Sequence, residues 1–225
     1  MEYNSKTEKF VDYVNWTKDD PCIWVVYPAG AAGDLVAAII NFHYVDTGAK
    51  FHGITETGQV IFRDTNKKIV NLTQTIDLSI VKDIESCLSE ENTNYSKIDQ
   101  IIFSNHSYKE QDIEKILNVF TKSKIIRIIP KDENEYNVIQ ELSSYKNGIS
   151  GKTNNNNWLP LDNCKEQVLE IYFGNLFSRD KFNQTYKKIR DHLNLPYKLI
   201  SYNFIEFYLS KQDKTILQAL SNLAV

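Results

Sequence analysis

The sequence predicts an α/β protein with a mainly parallel sheet and flanking helices in three layers. Three observations carry this. Short apolar runs without polar alternation recur at 22–27, 101–103, 124–129 and 168–173, the texture of strands covered on both faces. Segments with apolar residues at helical spacing separate them. Strand and helix therefore alternate, the order that builds a parallel sheet through crossover connections. With 225 residues the chain fits a single domain over 1–225.

The elements follow in order. Residues 7–16 place Phe10, Val11 and Val14 on one helical face. The 22–27 strand meets a loop of Pro, Gly and Ala, then a buried helix over 34–46. Lys50 to Arg63 reads as a hairpin turning at Glu56-Thr57-Gly58. An amphipathic helix is predicted over 79–90, a strand over 101–103, a helix over 109–121, a strand over 124–129 stopped by Pro130, and a helix over 132–142. Residues 147–164, with Gly148, Gly151, four consecutive asparagines and Pro160, read as a flexible loop. A strand over 168–173 follows, then a helix over 178–193 with Ser178 as N-cap. Pro196 breaks the pattern before one last aromatic-rich helix from about 201 to 223.

Composition bounds the function. The net charge is -3, so nothing points to nucleic acid or an anionic membrane as the main partner. The expected partner is a small-molecule or nucleotide ligand. The three cysteines, Cys22, Cys87 and Cys164, show no metal-ligand spacing, so no metal is expected. The polar N-terminus lacks the apolar stretch of a signal peptide, and a cytoplasmic protein is expected.

One loop dominates the search for chemistry. In Tyr27-Pro28-Ala29-Gly30-Ala31-Ala32-Gly33-Asp34, a strand, a small-residue loop and a helix start follow one another. That geometry offers backbone N–H groups to an anion. Gly30 and Gly33 would let the backbone approach a phosphate, and the N–H groups of residues 31–35 would face it. The plainer reading is a tight turn whose small residues allow close packing. No Lys follows Gly33, and Asp34 stands in its place, suited to capping the helix and repelling an anion. A second stretch, Gly148-Ile149-Ser150-Gly151-Lys152-Thr153, imitates the end of a phosphate-binding loop but lacks the preceding strand and following helix. His106 ends the 101–103 strand on the edge where open α/β sheets bind ligands, a position for a general base. Its alternative is a plain loop histidine. Lys131 lies at the same edge and would reach a phosphate or remain solvated. Arg127 falls inside a strand, so its side chain is expected to be paired or at a sheet margin. His43 and His52 are read as non-ligands, and His192 as a cationic ring suited to a helix end.

The order of these pieces resembles the P-loop sulfotransferase-like family over roughly residues 22–200. That family opens with a Tyr-Pro-Lys-Ser-Gly-Thr-Thr type loop, to which Tyr27 to Gly33 is similar. A later family strand ends in a Ser/Thr-His pair, matched by Ser104-Asn105-His106. An Arg-Asp/Asn-Pro segment on the 3′-phosphate resembles Arg127 to Asp132, and a Leu-Gly-Leu-Pro type turn resembles Leu193-Asn194-Leu195-Pro196. The loop also looks like that of a divergent type from marine phages and bacteria. The resemblance implies a P-loop NTPase/sulfotransferase-like fold. It implies 3′-phosphoadenosine 5′-phosphosulfate as donor, held by Pro28, Ala29, Gly30, Ala31, Ala32, Gly33, Asp34 and Lys131. It makes His106 the catalytic base on an acceptor hydroxyl. Three departures stand out: Ala29 replaces the loop lysine, Lys131 stands for the arginine, and Ile139 replaces a serine. They leave a non-catalytic phosphate-binding or protein-interaction module on the same fold as the alternative. A methyltransferase-like reading is weaker, since no acidic residue ends the second strand.

Overall fold

The structure is a computed structural model. It describes residues 19, 21–41, 50–54, 60–63, 69–72, 101–106, 110–147, 160–161, 166–195 and 200–224. The expected helices over 7–16 and 79–90, His43, Gly151-Lys152-Thr153 and most of the 147–164 loop lie outside these residues.

Strand β1 (Cys22–Val26) runs into helix α1 (Gly33–Asn41). The hairpin β2 (Lys50–Ile54) and β3 (Val60–Arg63) follows as its own two-stranded antiparallel sheet. Then come β4 (Ile69–Leu72), β5 (Ile101–Asn105), α2 (Glu110–Val119), β6 (Lys124–Ile129), α3 (Glu133–Asn147) and β7 (Val168–Tyr172). A 3-10 turn over Phe173–Leu176 leads to α4 (Arg179–Leu193), α5 (Asn203–Ser210) and α6 (Lys214–Ser221). Two expectations are corrected. Strand β4 is present where none was predicted. The single last helix is two, parted at Lys211 to Asp213, because the Asp213 side chain accepts the Thr215 N–H at 2.8 Å and starts a new helix.

The main sheet has five strands in the order β4-β5-β1-β6-β7, with every pairing parallel. β1 is central, and all five of its residues are buried, which is why its sequence shows no alternation. Ile23 and Val25 face a core that also takes Val36 and Ala37 of α1, Val138 and Ile139 of α3, Ile189 of α4 and Ile216 of α6. On the opposite face Trp24 stacks on Phe103 at 4.4 Å, and Phe120, just past α2, closes the cluster. A second core joins Leu35 and Ile39 of α1 to Phe182 of α4 and Tyr208 of α5.

Arg127 is buried on β6 and pairs with Glu170, its register partner on β7, whose carboxylate also accepts the Leu161 N–H. This is the paired arginine the strand position predicts. At the start of α3, Asp132 accepts the Glu135 N–H at 3.0 Å, and the Glu135 carboxylate accepts the Lys131 N–H at 2.9 Å. That reciprocal pairing fixes the chain as it leaves β6. The chain leaves β1 toward β4 and leaves β6 toward β7. Their carboxyl ends thus flank the point where connections diverge, the usual ligand crevice of an open α/β sheet.

Candidate functional site

The site is built at the carboxyl ends of β1 and β5. The Ala31 N–H donates to the Pro28 carbonyl at 3.0 Å, closing a four-residue turn. Its third residue, Gly30, has φ +91°, the positive angle a type II turn requires there. Ala32 then adopts φ 56°, and its carbonyl accepts the N–H groups of Leu35 and Val36 to start α1. Ala32 is therefore the N-cap residue, and Asp34 is not. Asp34 is the second residue of α1, where its charge still suits the helix dipole. The N–H groups of Ala31 and Leu35, expected to face an anion, donate to carbonyls within the loop. Gly33 and Asp34 begin α1 and carry the orphan N–H groups that every helix start has.

Both loop glycines press on protein atoms. A Cβ on Gly30 would fall 2.4 Å from the Ile139 carbonyl oxygen and 2.8 Å from the Ser143 nitrogen, both on α3. A Cβ on Gly33 would fall 2.0 Å from the Tyr27 ring. The small residues thus allow close packing on the sides where side chains would stand. Pro28 and Ala31 are buried, whereas Ala29 and Ala32 are half-buried.

Period-two alternation puts the Tyr27 side chain on the face of Ile23 and Val25. Ser104 pairs in register with Val25 and projects to the same face. Their hydroxyls meet at 2.7 Å. Asp34 completes the group: its Oδ1 accepts the Tyr27 hydroxyl at 3.0 Å and the Ser104 hydroxyl at 3.1 Å. Burial, with the charge of Asp34 second, pushes the Tyr27 phenol well above its ordinary pKa, so it stays a donor. His106 packs edge-on against the Tyr27 ring at 4.9 Å. Burial lowers the His106 pKa, with the charge of Asp34 pulling the other way. An imidazole held neutral can accept a proton. Tyr208 of α5 is buried and also feels Asp34, after burial itself, in a raised pKa.

The fold therefore brings the 28–34 loop and His106 together around Tyr27. Lys131 stands at the neighbouring β6 edge, largely exposed, with Nζ 4.0 Å from Asp132. Ile139 is buried in the core and offers no hydroxyl. His192 departs from expectation: burial, followed by the Lys124 ammonium, lowers its pKa, so the neutral ring is favoured. Among the described residues no group of three His, Cys, Asp or Glu is placed to hold a metal ion, and no helix is long and apolar enough to cross a membrane.

The sequence positions of Tyr27 and Ser104 do not by themselves mark the two hydroxyls as partners. The available signal was a serine inside the apolar run Ile101-Ile102-Phe103 and a tyrosine closing β1. Neither reveals that β1 and β5 are neighbours.

The class defined by fold and site is an open parallel α/β sheet with a small-residue loop and a histidine at its carboxyl edge. Solved structures similar to the chain include two sulfotransferases. One is mouse sulfotransferase SULT7A1 complexed with PAP, 14% identical with a TM-score of 0.43, over 93% of this chain and 70% of that one. The other is the sulfotransferase domain from the curacin biosynthetic pathway, 13% identical with a TM-score of 0.36, over 80% of this chain and 76% of that one. No family model matches the chain, and no curated protein does.

Proposed function

We propose that the chain is a divergent sulfotransferase-like protein. In this reading a donor of the 3′-phosphoadenosine 5′-phosphosulfate type lies along the carboxyl edge of the sheet. Its anionic bridge meets the orphan N–H groups at the start of α1. His106 takes the proton of an acceptor hydroxyl as that oxygen bonds to sulfur. The bridging sulfur–oxygen bond breaks, and 3′-phosphoadenosine 5′-phosphate leaves. The observation that carries the reading is His106 itself, kept neutral by burial and set against the ring of Tyr27, the residue that opens the donor loop. The order of loop, histidine and Lys131 segment along the chain supports it. Calorimetric titration with 3′-phosphoadenosine 5′-phosphate tests it. Binding is expected, and silence at millimolar concentration would reject both nucleotide and reaction.

A second reading is favoured by Asp34. A carboxylate in the first turn of α1, with Ala29 in place of a lysine, opposes the charge that accumulates in sulfuryl transfer. A ligand-binding module without catalysis would tolerate that arrangement. Sulfation of a hydroxyl acceptor that His106→Ala abolishes would exclude it.

A further inference from the structure

We propose that Asp34 is the specificity-determining residue of this crevice: its carboxylate weakens the hold of the 28–34 loop on a phosphate-type anion and favours a ligand group that donates hydrogen bonds. The inference rests on the reading that this loop faces the ligand's anion.

Three observations carry it. Asp34 is fixed, because its Oδ1 lies within hydrogen-bond reach of the Tyr27 and Ser104 hydroxyls, at 3.0 and 3.1 Å, which tie it to the ends of β1 and β5. Both contacts fall on Oδ1, and Oδ2 has no hydrogen-bond partner among the described residues, so it is the oxygen that a hydroxyl or ammonium of the ligand would meet. Its charge is not neutralised by a cation among the described residues. Arg127 pairs with Glu170, Lys131 lies by Asp132, Arg179 pairs with Glu206 and Arg190 pairs with Asp191. Finally, its field reaches the neighbouring ionisable groups, His106, Tyr27 and Tyr208, so an anion at this edge would feel it too. A loop that begins a helix, and so favours anions, thus carries its own opposing charge.

Asp34→Asn separates charge from scaffold. The amide oxygen still accepts both hydroxyls, while the negative charge is gone. The unaltered 225-residue chain and the variant are titrated calorimetrically with 3′-phosphoadenosine 5′-phosphate and, as an uncharged control, with adenosine. The variant is expected to bind the bisphosphate about tenfold more tightly, with no such gain for adenosine, whose hydroxyls the native carboxylate can accept. Raising the salt concentration should narrow the gap. Equal bisphosphate affinities in the two proteins would overturn the role of Asp34 and leave the site reading intact. Absence of bisphosphate binding to either protein would overturn the site reading and the inference with it. If Asp34→Asn fails to fold, Asp34→Ser supplies an uncharged acceptor for the same comparison.

Discussion

Two hydroxyl hydrogens serve three short contacts among Tyr27, Ser104 and Asp34. At least one hydroxyl must therefore bond the carboxylate while the other chooses between carboxylate and neighbour. Tyr27→Phe removes one hydrogen and leaves Ser104 with Asp34. The expected loss is about 1–2 kcal/mol, read from the urea midpoint. Gly30→Ala is expected to be worse. The new methyl would need φ +91° and would meet backbone atoms of α3 that cannot rotate aside, so a loss of about 3 kcal/mol or more follows. His106 and His192 give a pH signature. Both have pKa values lowered from 6.5 in the folded chain, so the unfolded chain binds more protons as acid is added. Their contribution is fully present above about pH 6.5 and is lost as pH falls toward the folded values. Unfolding midpoints measured between pH 7.5 and 5 should fall, and the double variant His106→Gln, His192→Gln should fall less steeply.

At the scale of elements, the Arg127–Glu170 pair ties β6 to β7 in a buried setting. Arg127→Ala would leave Glu170 charged and unpaired against the sheet, and a loss of about 3–5 kcal/mol is expected in chemical denaturation. The sheet strands were legible because β1, β5, β6 and β7 lack polar alternation. The hairpin was legible from Gly58 between two short apolar runs. β4 was not, since Ile69-Val70-Asn71-Leu72 is only four residues long and follows Lys67-Lys68. The break between α5 and α6 was hidden as well. No Gly or Pro marks it, and only the Asp213 cap decides it. At the carboxyl edge of the sheet, the positions of the loop and His106 were legible because both follow strands. The sequence could not supply the pairing of β1 with β5, which alone brings Ser104 to Tyr27. Asp34 could be read as a cap from its residue type, yet the cap is Ala32, two residues earlier, and the helix begins at Gly33.

For the whole molecule, the parallel sheet is the part that opens last. β1 is covered on both faces and paired on both edges, whereas the β2–β3 hairpin is a two-stranded sheet. Amide exchange should therefore be slowest at Ile23–Val26 and Ile125–Ile128, and faster by orders of magnitude in the hairpin. The close seat of Gly30 on α3 has a mechanical result. A ligand that lifts the loop must lever the middle of α3, because the two backbones meet with no side chain between them to absorb the motion. α3 in turn holds the end of the chain: Asn134 donates to the Asn222 carbonyl at 3.0 Å, and the Tyr145 hydroxyl engages Asp213 and Thr215. Loop, helix and C-terminal turn are thus linked through α3, and if the proposed ligand binds at the loop, a fluorophore beside Asn222 is expected to report occupancy of an edge it never touches.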